Sequence, residues 1–156
     1  MWFGGLGNPD GTTQSDNSTT NNTITFVEIA TTGNAEDFGT LPTVTNSATA
    51  SSNGVRGFVM GGQTSPLSSS DIFTIIFATK GDATDFGDNL ASNPGYLPNM
   101  GTVANKNTAI VAGGVTTNVI QSFSMATTGQ SADFGDLTIA RYAPGGVSDS
   151  HGGLTE

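Results

Sequence analysis

Three stretches of the chain, "GNAEDFGTL", "GDATDFGDN" and "GQSADFGDL", each contain Asp-Phe-Gly. The aspartate of such a triplet can hold the magnesium of a phosphoryl-transfer site. That chemistry also needs a Gly-rich strand-turn, a lysine on a following strand and a catalytic-loop Asp and Asn. The chain offers none of these partners, and a catalytic triplet has no reason to recur. Yet this one recurs evenly: Phe38, Phe86 and Phe134 lie 48 residues apart (86 − 38 and 134 − 86). A structural role accounts for the repetition. The phenylalanine is a large apolar group able to plug between neighbouring units. The glycine after it (Gly39, Gly87, Gly135) allows a positive φ or a close backbone approach. The aspartate before it (Asp37, Asp85, Asp133) can accept backbone N–H bonds within its own turn.

Other residues invite chemistry and are weaker. Asp82, Asp85 and Asp88 make an oxygen-rich stretch of the kind that holds calcium. Their spacing is not that of an EF-hand, and the other copies keep only Glu36 with Asp37 and Asp133 with Asp136, so neither metal nor cofactor is expected. His151 in "SDSHG" sits beside Ser148, Asp149 and Ser150. Triad members adjacent in sequence seldom meet in the required geometry, and there is no GxSxG elbow; a turn-forming or capping histidine is the expectation. "GGLGNPDG" is Gly-rich, but no helical pattern or lysine follows it, so it reads as a hairpin loop. Glu28, Glu36 and Glu156 do not pair by spacing. Trp2, Tyr96 and Tyr142 are expected to pack at unit edges or a subunit contact in preference to stacking on sugar rings. "NST" (17–19) and "NNT" (21–23) match glycosylation sequons, which matter only in a eukaryotic secretory setting. The expectation is a protein that is not an enzyme.

The bulk composition narrows the partners. At 156 residues the chain has the length of one domain, enough to bury roughly 70% of its extended surface. Only 11% of residues are charged, yet the net charge is −9 and the pI about 4.1. Arg56, Lys80, Lys106 and Arg141 are too scattered to form a basic patch, which argues against nucleic acid and against anionic membranes. There is no cysteine, so disulfides and thiolate chemistry are excluded. The start, "MWFGGLGNPDG", has neither the basic nor the apolar region of a signal peptide, and no apolar run is long enough to span a bilayer.

The elements that must position the triplets also repeat. Gly33, Gly81 and Gly129 keep the 48-residue interval, as do Ala30, Ala78 and Ala126. Upstream lie "ITFVEIA" (24–30), "DIFTIIFA" (71–78) and "VIQSFSMA" (119–126). In register, Val27, Ile75 and Phe123 share one apolar column, and Ile29, Phe77 and Met125 the next. This period-two alternation, rich in β-branched and aromatic residues, predicts three strands with one buried face. A second element, "MWFGG" (1–5), "GFVMGG" (57–62) and "AIVAGG" (109–114), predicts a short strand running into a tight turn at Gly61-Gly62 and Gly113-Gly114. The long polar connection from about residue 6 to 23 reads as an exposed loop. Leu154 follows Phe134 by the 20 residues that separate Phe58 from Phe38, so "LTE" takes the place of "FVM". No stretch shows helical periodicity. The chain therefore reads as one all-β repeat domain over 1–156, with units of about 48–52 residues at about 1–56, 57–108 and 109–156.

These features together, "ATTGNAEDFG", "ATKGDATDFGD", "ATTGQSADFGDLTIAR", the Gly pairs and the ending "SDSHGGL", resemble the Kelch-like repeat of bacteriophage structural proteins, cyanophage ones among them. The likeness covers nearly the whole chain. Thr40 departs from it where the pattern has Asp, and the second copy reads "DNLASNPGYLPNMG" in place of "DLTIAR". The resemblance implies antiparallel β-propeller blades. Three units are fewer than the four to eight or so that close a propeller, so two chains could pair into a six-bladed ring; a pseudo-threefold β-trefoil or β-prism suits the length as well, and the chain could also be an ordered part of a larger chain or assembly. It further implies a non-enzymatic virion component, a fibre, appendage or decoration protein that adheres to a host surface. The expected partners are other virion proteins, further copies of the chain and a host-surface glycan. A stand-alone carbohydrate-binding module is the alternative.

Overall fold

The computed structural model describes residues 1–6, 20–64, 67–90 and 99–148. Among them there is no helix, and hence none long and apolar enough to cross a membrane. The all-β class expected from the sequence is what the structure has. Three antiparallel sheets follow one another along the chain. The first contains β1 (Trp2–Leu6), β2 (Thr20–Phe26) and β3 (Glu36–Thr40) in that order. The second orders β4 (Thr49–Ser52), β5 (Arg56–Met60), β8 (Asp71–Ile76) and β9 (Thr84–Asp88). A two-stranded ribbon, β6 (Gln63–Thr64) with β7 (Leu67–Ser68), connects β5 to β8. The third sheet orders β10 (Gly101–Ala104), β11 (Thr108–Ala112), β12 (Val119–Ser124) and β13 (Ala132–Asp136).

Each sheet is thus a meander of one repeat, and among the described residues the first has no counterpart of the opening strands β4 and β10. Alternation along β5 and β8 sends side chains to both faces. Val59, Phe73 and Ile75 join Ile24, Phe38 and Leu41 in one core between the first and second sheets. Phe58, Met60, Ile72 and Phe86 join Ala109, Val111, Phe123 and Met125 in another between the second and third. The middle sheet is therefore buried on both sides, which explains why β5 and β8 are its most apolar strands.

Three local differences from the sequence expectation have physical causes. β2 ends at Phe26, short of the segment 24–30, because β1 begins at Trp2 opposite Thr25 and leaves Val27 and Glu28 without a partner strand on that side. Ile29 lies in the turn that follows, as Phe77 does after β8, and is 97% exposed. Gly4 and Gly5 do not end a strand as Gly61-Gly62 and Gly113-Gly114 do; they continue β1 through a register shift between Phe3 and Gly5. Residues 20–23, read as loop, belong to β2. Residues 7–19, Tyr96 and the segment 149–156, with His151 and "LTE", lie outside the described residues.

Candidate functional site

The triplets do not form turns. Each lies within a strand (β3, β9, β13) and creates a bulge against its neighbour. Ile24 pairs with Gly39 and Thr25 with Asp37, leaving Phe38 as the extra residue. Phe86 is extra between the pairs Ile72–Gly87 and Phe73–Asp85, and Phe134 between Ile120–Gly135 and Gln121–Asp133. An extra residue locally breaks the ladder and re-aims its side chain. The aspartate stabilises the bulge: the Gly39, Gly87 and Gly135 N–H groups donate to Asp37, Asp85 and Asp133 Oδ1 at 3.2, 3.1 and 3.1 Å. The glycines take φ of +152°, +151° and +145°, a region side chains rarely adopt.

The free edge of the bulged strand receives the next unit. The Gly81 N–H donates to the Phe38 carbonyl at 2.9 Å, and the Ala83 N–H to the Thr40 carbonyl at 2.8 Å. One repeat later, Gly129 donates to Phe86 at 3.0 Å and Ser131 to Asp88 at 2.8 Å. The approach is close enough that a Cβ on Gly39 would run into the Gly81 carbonyl, and one on Gly87 into that of Gly129. Together these contacts make a seam between consecutive units. The phenylalanine lies beneath it. Phe38 is 6% exposed and packs edge-on against Phe26 at 5.9 Å. Phe86 is 3% exposed, with Phe58 at 5.0 Å and Phe123 at 6.1 Å. Phe134, with no following unit among the described residues, is 61% exposed.

The two seams differ in compensating pairs. In the first, Asp82 Oδ1 accepts from both the Thr40 N–H (2.8 Å) and the Thr40 hydroxyl (2.9 Å). An aspartate at position 40 would oppose Asp82, which accounts for the departure at Thr40. In the second seam Asp88 holds the place of Thr40 and uncharged Gln130 that of Asp82. The first seam also carries Lys80, whose Nζ is 3.0 Å from Glu36 and 4.4 Å from the centroid of the Phe26 ring. Deeper in, Phe73 and Ala83 of the first seam are replaced by Gln121 and Ser131, both buried. These two accept the Leu90 N–H at 2.7 and 2.8 Å, and the Ser131 hydroxyl donates to Gln121 Oε1 at 2.7 Å. The first seam needs no such acceptors, because Pro42 stands where Leu90 does and has no N–H. Replacing Gln121 by Phe and Ser131 by Ala together is expected to cost about 1–3 kcal/mol by leaving the Leu90 N–H unpaired. Adding Leu90→Pro is expected to recover much of that loss in urea melts.

A third connection was not visible in the sequence. Ser47, Asn99 and Ala143 all take a positive φ (55°, 61° and 48°), the first two just before the opening strands β4 and β10. They form a backbone ladder: the Asn99 N–H donates to Ser47 at 2.9 Å, and the Ala143 N–H to Asn99 at 3.0 Å. Beyond Ala143, Gly146 lies against Thr102 and Val103 of β10, as β10 itself lies against β4. The stretch around Gly146 thus follows the path of an opening strand and belongs to none of the described sheets. Three different residue types at unequal spacing gave no repeat signal here.

The carboxylates do not converge. Asp82 faces Thr40, Asp85 binds its own bulge, and Asp88 accepts from Ser70 Oγ at 3.4 Å. Among the described residues no three Asp, Glu, His or Cys side chains are grouped so as to hold a metal ion. Gly61, Gly62, Gly113 and Gly114 have φ of +62°, +99°, +71° and +118° and turn the chain out of β5 and β11. Trp2 is exposed, and the Tyr142 hydroxyl accepts from Asn99 Nδ2 at 3.0 Å. Two open clefts adjoin these elements. One, of about 560 Å³, is lined by Thr31–Glu36, Phe26 and Lys80 among others; another, of about 360 Å³, by Val103, Ile110 and Phe134 among others. No family model matches the chain, and no curated protein matches it.

Proposed function

We propose that the chain is a non-enzymatic structural protein of a bacteriophage virion, a fibre, appendage or decoration component whose Kelch-like units present divergent loops to a host surface. The observation that carries the non-enzymatic reading is the use made of the repeated aspartates. All three bond the backbone of their own bulge, so the residues best suited by type to chemistry serve the architecture. The virion assignment follows from the Kelch-like resemblance of the repeat. A propeller-type arrangement is favoured over a trefoil or prism by the geometry: each unit is a separate meander, the cores lie between successive sheet faces, and the opening strands approach one another in series. Propellers close with about four to eight blades, so three units require others from further copies. Repetition then turns weak loop contacts into avidity.

Mass spectrometry of purified virions tests this reading. Peptides of the chain are expected in stoichiometric, multiple copies; particles lacking it would refute the virion assignment. A glycan array with the free protein separates the alternative, since a stand-alone carbohydrate-binding module would retain a sugar without assembly.

A further inference from the structure

The seam occurs twice within the chain, and its two halves stand bare at the two ends. At the far end, β13 has the bulge, the positive-φ Gly135 and the phenylalanine of β3 and β9. Nevertheless the Phe134 and Asp136 carbonyls, equivalents of Phe38 with Thr40 and of Phe86 with Asp88, meet no donor like Gly81 or Gly129 among the described residues. Phe134 is exposed beside the open recess formed with Val103 and Ile110. At the near end, Gly33 and Ala35 stand where Gly81 with Ala83 and Gly129 with Ser131 do. Their N–H groups have no acceptor among the described residues, and at the far end, unlike at Gly39 and Gly87, nothing lies within 4 Å of a Cβ built on Gly135. Gly33 also lacks the positive φ that docked Gly81 (+152°) and Gly129 (+151°) share.

We propose that a second copy of the chain completes the seam head to tail, its Gly33 and Ala35 N–H groups donating to the Phe134 and Asp136 carbonyls of the first and its near end covering the Phe134 ring. The inference rests on the structural reading above and adds the interface. Continuity with the two internal seams argues for this occupant, since the same bulge, glycine contact and ring position are already filled twice by this chain's own sequence. The side chains agree. Asn34 occupies the position of Asp82 and Gln130, so the carboxylate of Asp136 would meet an uncharged amide, as Asp88 does with Gln130. The strand inventory agrees as well. Among the described residues no strand lies on the outer edge of β1, while the stretch around Gly146 of the neighbouring copy lies on the path of an opening strand. The interface is heterologous, using different surfaces on the two copies, so it generates a ring if the rotation closes and a filament if it does not.

Light scattering of the full chain tests this, with two single variants and their mixture. Phe134→Asp alters an exposed ring and places a charge where the seam must be dry; Ala35→Pro removes one donor from an exposed connection. The wild type is expected as a dimer or larger, and each variant alone as a monomer with an unchanged circular dichroism spectrum. Mixed in equal amounts they are expected to form a 1:1 heterodimer, because Phe134→Asp keeps an intact near end and Ala35→Pro an intact far end. A monomeric wild type, an oligomer that survives both variants, or two monomeric variants that fail to pair would each overturn the head-to-tail seam. None of these outcomes bears on virion membership, which the mass spectrometry decides separately.

Discussion

Replacing Phe86 by alanine is expected to lower the unfolding free energy by about 3–5 kcal/mol, whereas the same change at Phe134 lowers it by less than about 1 kcal/mol. The two residues occupy identical places in the repeat and differ in their surroundings. Phe86 is sealed between the second and third sheets, with its ring edge-on to Phe58 and tilted against Phe123. Removing it opens a cavity where two sheets meet. Phe134 has most of its ring in solvent. The comparison belongs in the Ala35→Pro background, where no second copy covers Phe134. Urea unfolding reads it directly, and equal midpoint shifts at the two positions would show that burial between units is not what the phenylalanine contributes. Since domains of this size are stable by only about 5–15 kcal/mol, Phe86→Ala leaves little reserve.

The second large effect is expected at Gly87. An alanine there would have to hold φ near +151° and would drive its Cβ into the Gly129 carbonyl. The backbone conformation alone costs about 1–3 kcal/mol. Relieving the clash means parting the seam and its two hydrogen bonds, each worth about 0.5–1.5 kcal/mol, for a total of about 2–6 kcal/mol. Gly135→Ala carries the same conformational cost, at φ +145°, with nothing within 4 Å of the added carbon. The difference between the two variants, measured in the same background, isolates the seam from the strain.

Much of this architecture was legible in the sequence because burial writes a periodic signal. The alternation in 71–76 and 119–124 and the apolar runs before Gly61 and Gly113 fall on β8, β12, β5 and β11. The strands of the triplets did not show, because a bulge breaks the period-two pattern and each has one large apolar residue in five. The opening strands β4 ("TASS") and β10 ("GTVA") are too short and too polar to stand out from loops. The apolar column through Ile29 and Phe77 misled, since a column reports burial only where a partner strand exists. Ile29 has none among the described residues; Phe77 and Met125 each follow the last residue of their strand, and of the three only Met125 is buried. The seam itself is made almost wholly of backbone groups and glycines. A single sequence can mark where such groups lie, as the recurring Gly-x-x-x-Asp-Phe-Gly does, but not which carbonyl they meet.

Amide hydrogen exchange, followed residue by residue at low and high protein concentration, tests the central claim most directly. If the triplets build seams, the Gly81, Ala83, Gly129 and Ser131 amides, though outside the strands, will exchange as slowly as those of β8 and β12 at any concentration. The Gly33 and Ala35 amides will exchange fast at dilution and slow as the chain assembles. Rapid exchange at Gly129 and Ser131, at the rate of a solvent-exposed turn, would contradict the account.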